Sequence, residues 1–159
     1  IMIALTIALV SIVWVIVNNL VQKNISGSES CFGIFGEITL NSRYTCYNNT
    51  AGAGTDEVWF SVDVGEIDDV EDILVAISGG GDSVTFKIGE NLSELSSYPG
   101  RTQPVSVPGK NQGKTYIYRL PASFQATPEK IEIAPVIDGQ LCDLTDSLEQ
   151  FDSCYSIAP

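Results

Sequence analysis

The apolar positions of this chain fall into two regimes. Residues 1–17 run Ile-Met-Ile-Ala-Leu-Thr-Ile-Ala-Leu-Val-Ser-Ile-Val-Trp-Val-Ile-Val, with only Thr6 and Ser11 polar and no charge before Lys23. A helix over Ile1–Gln22 would be about 33 Å long at ~1.5 Å per residue, close to the ~30 Å hydrocarbon thickness of a bilayer. Gly27 offers a left-handed stop, and 24–30 read as a short polar hinge. Beyond residue 30 the apolar residues come in short alternating or β-branched runs. These predict strands at Ile34–Leu40, Arg43–Tyr47, Val58–Val64, Ile73–Ile77, Ser83–Ile88, Thr115–Leu120 and Lys130–Ile137. Asn41-Ser42 would turn the first two into a hairpin, and Gly79-Gly80-Gly81-Asp82 would turn the strands around it. Pro135 predicts an edge or a bulge, and Ser93–Ser97 a single helical turn.

The expected class is therefore α+β. A long N-terminal hydrophobic α-helix with its hinge (1–28) is followed by an immunoglobulin-like all-β sandwich (29–159). A signal peptide is the competing reading of the first segment. It lacks the basic start and the small-residue cleavage site that such peptides carry. A chain that starts at Ile1 implies either a removed leader or an incomplete sequence.

Charge sharpens the division. The 159 residues carry 20 acidic and 8 basic side chains, net −12. Lys23 and Glu29 cancel within 1–30, so the whole excess sits in the second part. Acidity of this kind argues against nucleic acid as a partner, since phosphate binding needs basic surface. Histidine is absent, which removes His-based acid–base catalysis and His metal ligation. No nucleophile motif replaces it, so neither catalysis nor a cofactor is expected.

Cys31, Cys46, Cys142 and Cys154 lack CxxC spacing, which disfavours zinc and favours disulfides. Oxidised cysteines put the domain outside the cytoplasm. Of the three connectivities, the local pairs Cys31–Cys46 and Cys142–Cys154 are expected, because each encloses one plausible loop. Sequons mark Asn48, Asn91 and Asn24 as glycan acceptors, with Asn48 first because it falls in an expected turn. The run 65–72 holds five acids; Asp68, Asp69, Glu71 and Asp72 are the calcium alternative to a solvated acidic loop.

The apolar opening segment, polar hinge and extracytoplasmic β domain together resemble the archaeal type IV pilin and archaellin-like family, the resemblance being carried by Ile1–Gln22. Bacterial pilins usually open on Phe with Glu at the fifth position. Ile1 and Leu5 stand there instead, and the Gly-rich opening of archaellins is missing. The resemblance implies a cell-surface filament used for adhesion rather than motility, assembled from copies of this chain. It also implies membrane residence before assembly, a prepilin peptidase and a pilus assembly machinery. Packing in the filament core would fall to Ile1, Ala4, Leu5, Ala8, Leu9, Ser11, Ile12, Trp14 and Ile16. Ala4, Ala8 and Ser11 would form a small-residue face that permits close approach. The rivals are a single-pass membrane protein displaying a β-sandwich binding module and an archaellum subunit.

Overall fold

The computed structural model describes residues 16–18, 31–49, 56–150 and 152–154. Among the described residues ten strands form two sheets: β1 (Ile38–Leu40), β2 (Cys46–Asn48), β3 (Glu57–Val64), β4 (Val70–Gly79), β5 (Asp82–Lys87), β6 (Leu95–Ser97), β7 (Gln112–Arg119), β8 (Lys130–Ile137), β9 (Gln140–Leu141) and β10 (Asp146–Glu149). One sheet has the order β1-β3-β7-β6, with β2 also on β3; the other has β10-β8-β4-β5, with β9 also on β8. All paired strands run antiparallel. Taking β1 with β2 and β9 with β10 as broken edge strands, this is the A-B-E-D and G-F-C order of immunoglobulin sandwiches with one strand added beside C.

Period-two alternation builds the core. Val58, Phe60, Val62 and Val64 of β3 face Ile73, Val75 and Ile77 of β4 and Ile131 and Ile133 of β8 in one buried cluster. Phe60 stacks on Tyr116 within its own sheet with ring centroids 5.4 Å apart, and Phe86 of the other sheet stacks on Tyr118 with centroids 3.9 Å apart and the rings nearly parallel. The Tyr116 hydroxyl escapes the apolar interior by donating to the Ser106 carbonyl at 2.7 Å. Gly80 and Gly81, with φ of 55° and 96°, make the tight turn between Gly79 and Asp82. The Asp82 carboxylate then accepts from the Gln125 and Ala126 amides.

Several expectations are corrected. The described chain is all-β rather than α+β: the long N-terminal helix is not among its elements, and no described helix reaches seven residues. None is long and apolar enough to cross a membrane. The buried core is drawn wholly from strands and their flanking loops, so no helix contributes to the class. Ile16–Asn18 are helical and exposed. Of the filament-core set only Ile16 is described; Ile1, Ala4, Leu5, Ala8, Leu9, Ser11, Ile12 and Trp14 lie outside the described residues.

Ile34–Leu40 and Arg43–Tyr47 do not form a hairpin. β1 and β2 both pair with β3, at Val62–Val64 and Glu57–Trp59 respectively. A 3-10 turn over Ser42–Tyr44, capped by the Asn41 side chain on the Arg43 amide, offsets one from the other. Eight residues of β3 are long enough to take both. The disulfides are Cys31–Cys142 and Cys46–Cys154, spanning 111 and 108 residues, not the local pairs. With no hairpin to bring Cys31 to Cys46, each finds a partner from the far end of the chain. Tyr47 holds that tail beside β2 through its amide on the Asp152 carbonyl at 2.9 Å and a parallel bridge to Ser153. The expected turn at Ser93–Ser97 is instead the edge strand β6, paired with β7.

Pro135 behaves as an edge residue inside a central strand. Its carbonyl accepts from Cys142 and that of Ile133 from Thr145, so the missing N–H points at the break between β9 and β10, where no ladder needs it.

Candidate functional site

Glu57 and Trp59 alternate with core residues along β3 and so point to the outer face of the sheet. Opposite them on β7 stand Arg119 and Ile117. The segment Tyr98–Pro104, following β6, lies against this face. Arg101 sits there in the left-handed region at φ 49° and donates through Nη1 to Glu57 Oε1 at 2.7 Å and through Nη2 to Oε2 at 2.9 Å. Trp59 Nε1 donates to the same carboxylate at 3.2 Å. Glu57 is thus a buried carboxylate, 7% exposed, with three N–H donors. The Arg101 hydrogen bonds hold its pKa below the usual range against the opposing effect of burial. The guanidinium pKa is raised in turn by the same contact.

The base of the loop is fixed independently. Gln103 Nε2 donates to the carbonyls of Leu92, Ser93 and Leu95 at 3.0, 3.0 and 2.8 Å. Ser97 and Thr102 bridge its neck, and the Tyr98 amide donates to Thr115 at 2.9 Å. The Tyr98–Pro99 and Gln103–Pro104 peptides are cis. Tyr98 rests on Trp59, ring centroids 5.4 Å apart and tilted by 41°, with 51% of its surface exposed. The arrangement presents an aromatic face beside a guanidinium that is half in solvent. Glu57 uses two of its five N–H groups, leaving three.

A second feature surrounds Cys31–Cys142. Phe32 and Phe35 follow one cysteine and Leu141 and Leu144 flank the other, and they are 81%, 77%, 50% and 44% exposed. Beneath them Ile34, Ile137 and Cys142 form a small buried cluster apart from the main core. Four large apolar side chains are thereby displayed around one bond, next to the first residues of the domain.

The residues singled out from sequence are not gathered into one site. All four cysteines are oxidised in two bonds, and neither bond is part of the loop, although Cys46 stands opposite Trp59 across the β2–β3 ladder. Asn91 is exposed between β5 and β6, whereas Asn48 is half-buried at the end of β2; Asn24 lies outside the described residues. The acidic run is dispersed. Asp68 takes Lys110 at 2.7 Å, Glu71 accepts from the Gly139 amide, and Asp72 accepts from Ile73 and Gly89. Asp69 occupies a left-handed turn. Among the described residues no group of three or more acids or cysteines is arranged for a metal. The Gly79–Asp82 turn lines a shallow polar groove with Lys130, Glu149 and Gln150, where Lys130 is held by Glu132 and Glu149.

Sequence reasoning missed the Glu57–Trp59–Tyr98–Arg101 cluster. Its only local signal is Trp59, which breaks the alternation of Val58, Phe60 and Val62. No protein-family model, curated protein or solved structure matches the chain.

Proposed function

We propose that the chain is a structural subunit of an extracytoplasmic surface filament of the archaeal type IV pilin kind. It would polymerise through its apolar segment Ile1–Gln22 with copies of itself and display the disulfide-stapled sandwich outward for attachment. The peptidase and assembly machinery of that family would be its partners in biogenesis, and the membrane its residence before assembly. The two disulfides support an oxidising, extracytoplasmic setting for the sandwich.

The observation that carries the reading is where apolar surface is left uncovered. Of the eight exposed large hydrophobic residues described, Ile16 and Val17 belong to the apolar segment and Phe32, Phe35, Leu141 and Leu144 surround Cys31–Cys142, next to the first residues of the domain. Large apolar side chains exposed around one disulfide are the kind of surface that marks an interaction site. Four side chains cannot cover so long an apolar segment of the same chain, whereas a polymer buries both at once. Contacts that repeat without closing give open helical filaments.

The test replaces Phe32 and Phe35 together by Ser in the native host. Loss of surface filaments with an undiminished, disulfide-bonded membrane pool is expected. Unchanged filaments would remove the collar's support. A wild-type cell whose surface carries none of this chain in filaments would instead favour the membrane-anchored display module.

A further inference from the structure

The loop over β3 is built more firmly than a connection requires, and its construction leaves one surface chemistry on offer. Gln103, Ser97 and Thr102 fix its neck, the Arg101–Glu57 pair fixes its tip, and Trp59 backs the Tyr98 ring. A non-glycine residue in the left-handed region at that tip is a conformation the surroundings must hold in place. The exposed product is one aromatic face and a guanidinium with unspent donors, already ordered, so a ligand would bear little of the ordering cost.

We propose that Tyr98 and Arg101, backed by Trp59 and Glu57, form a binding platform for neutral carbohydrate. The face of a sugar ring presents C–H groups that pack on an aromatic surface, and its hydroxyl oxygens accept from guanidinium N–H groups. Neutrality follows from the electrostatics. Glu57 offsets the Arg101 charge at the site, and the chain carries −12 overall, a field that repels anionic ligands. A cationic peptide, drawn by that field, would meet the guanidinium at the point of contact. The platform does not depend on the filament reading and would operate equally on a membrane-anchored domain.

The test uses the full chain in detergent micelles on an array of neutral and acidic glycans. Titration calorimetry with the neutral oligosaccharide retained and with oligolysine follows. Saturable binding of a neutral glycan is expected. Tyr98→Ala should weaken it about tenfold or more, while Tyr98→Phe, which keeps the ring, should not. Arg101→Lys should weaken it several-fold. Circular dichroism and an absence of free thiols establish that each variant is folded. The proposal is overturned by retention of no glycan, by retention of acidic glycans alone, by oligolysine binding in place of sugar, or by a folded Tyr98→Ala chain that binds as well as wild type.

Discussion

Arg101 and Glu57 stand 44 residues apart in sequence and meet through two parallel N–H···O bonds, of 2.7 and 2.9 Å. The carboxylate is buried and the guanidinium half in solvent. Paired forks of this geometry give direction as well as energy, and here they clamp the loop carrying Tyr98 to the outer face of β3.

Arg101→Gln leaves Glu57 buried without its cation. Breaking a fully buried pair costs about 3–5 kcal/mol, but solvent reaches half of this guanidinium, so ~1–2 kcal/mol is expected. The pH dependence has a definite sign. The Glu57 pKa is depressed from 4.5 in the folded state. Its contribution is therefore fully present above that value and is lost as pH falls through the lower folded value. Urea midpoints of wild type and variant should differ by a constant amount at neutral pH and converge in acid. A gap that persists unchanged in strong acid would contradict the assignment.

Tyr47 carries a second electrostatic signature. Burial and then its hydrogen bond to Asp56 raise its pKa to about 12. Burial also raises Tyr116 and Tyr118. A raised phenol contributes stability below pH 10 that is lost as pH climbs towards 12. Absorbance titration should show a late tyrosine phase in the native chain that is absent in urea, where ionisation is single near pH 10. Tyr47→Phe should shrink the late phase. A single native transition near pH 10 would refute this.

Non-reducing peptide mapping should recover Cys31 joined to Cys142 and Cys46 joined to Cys154. Loops near 100 residues are worth ~4.7 kcal/mol in the chain-entropy account. Replacing either pair by Ala should cost about 2–5 kcal/mol, read from denaturant midpoints. Cys46→Ala with Cys154→Ala should also release the tail from Tyr47 and shift its titration towards the unperturbed value.

Glycan occupancy should favour Asn91, which is exposed in a loop, over Asn48, which is half-buried in β2. Glycopeptide mass spectrometry of the native protein measures both. Higher occupancy at Asn48 would place that strand end differently from the structure.

The long strands were legible because their alternation is dictated by two buried faces. Val58–Val64, Ser83–Ile88 and Lys130–Ile137 appear close to where the pattern put them, as does the Gly80–Gly81 turn. The short edge strands were not. β6 is anchored by Leu95 alone and β10 by Leu148, and a single apolar residue carries no period. Pairing across the sandwich was equally hidden. Nothing near Cys31 announces Cys142, and nothing near Trp59 announces Tyr98 and Arg101, because those contacts exist only once the sheets have closed. The α+β class was misjudged because apolar content alone marked Ile1–Gln22 as an element, whereas the core of the described chain needs only its two sheets.

Cryo-electron microscopy of filaments sheared from native cells tests the central claim most directly. The account predicts a helical polymer whose outer density takes this sandwich with its two disulfides, and whose core is built from residues 1–22 of successive copies. Recovery of the chain solely as discrete particles in detergent-extracted membranes would contradict it.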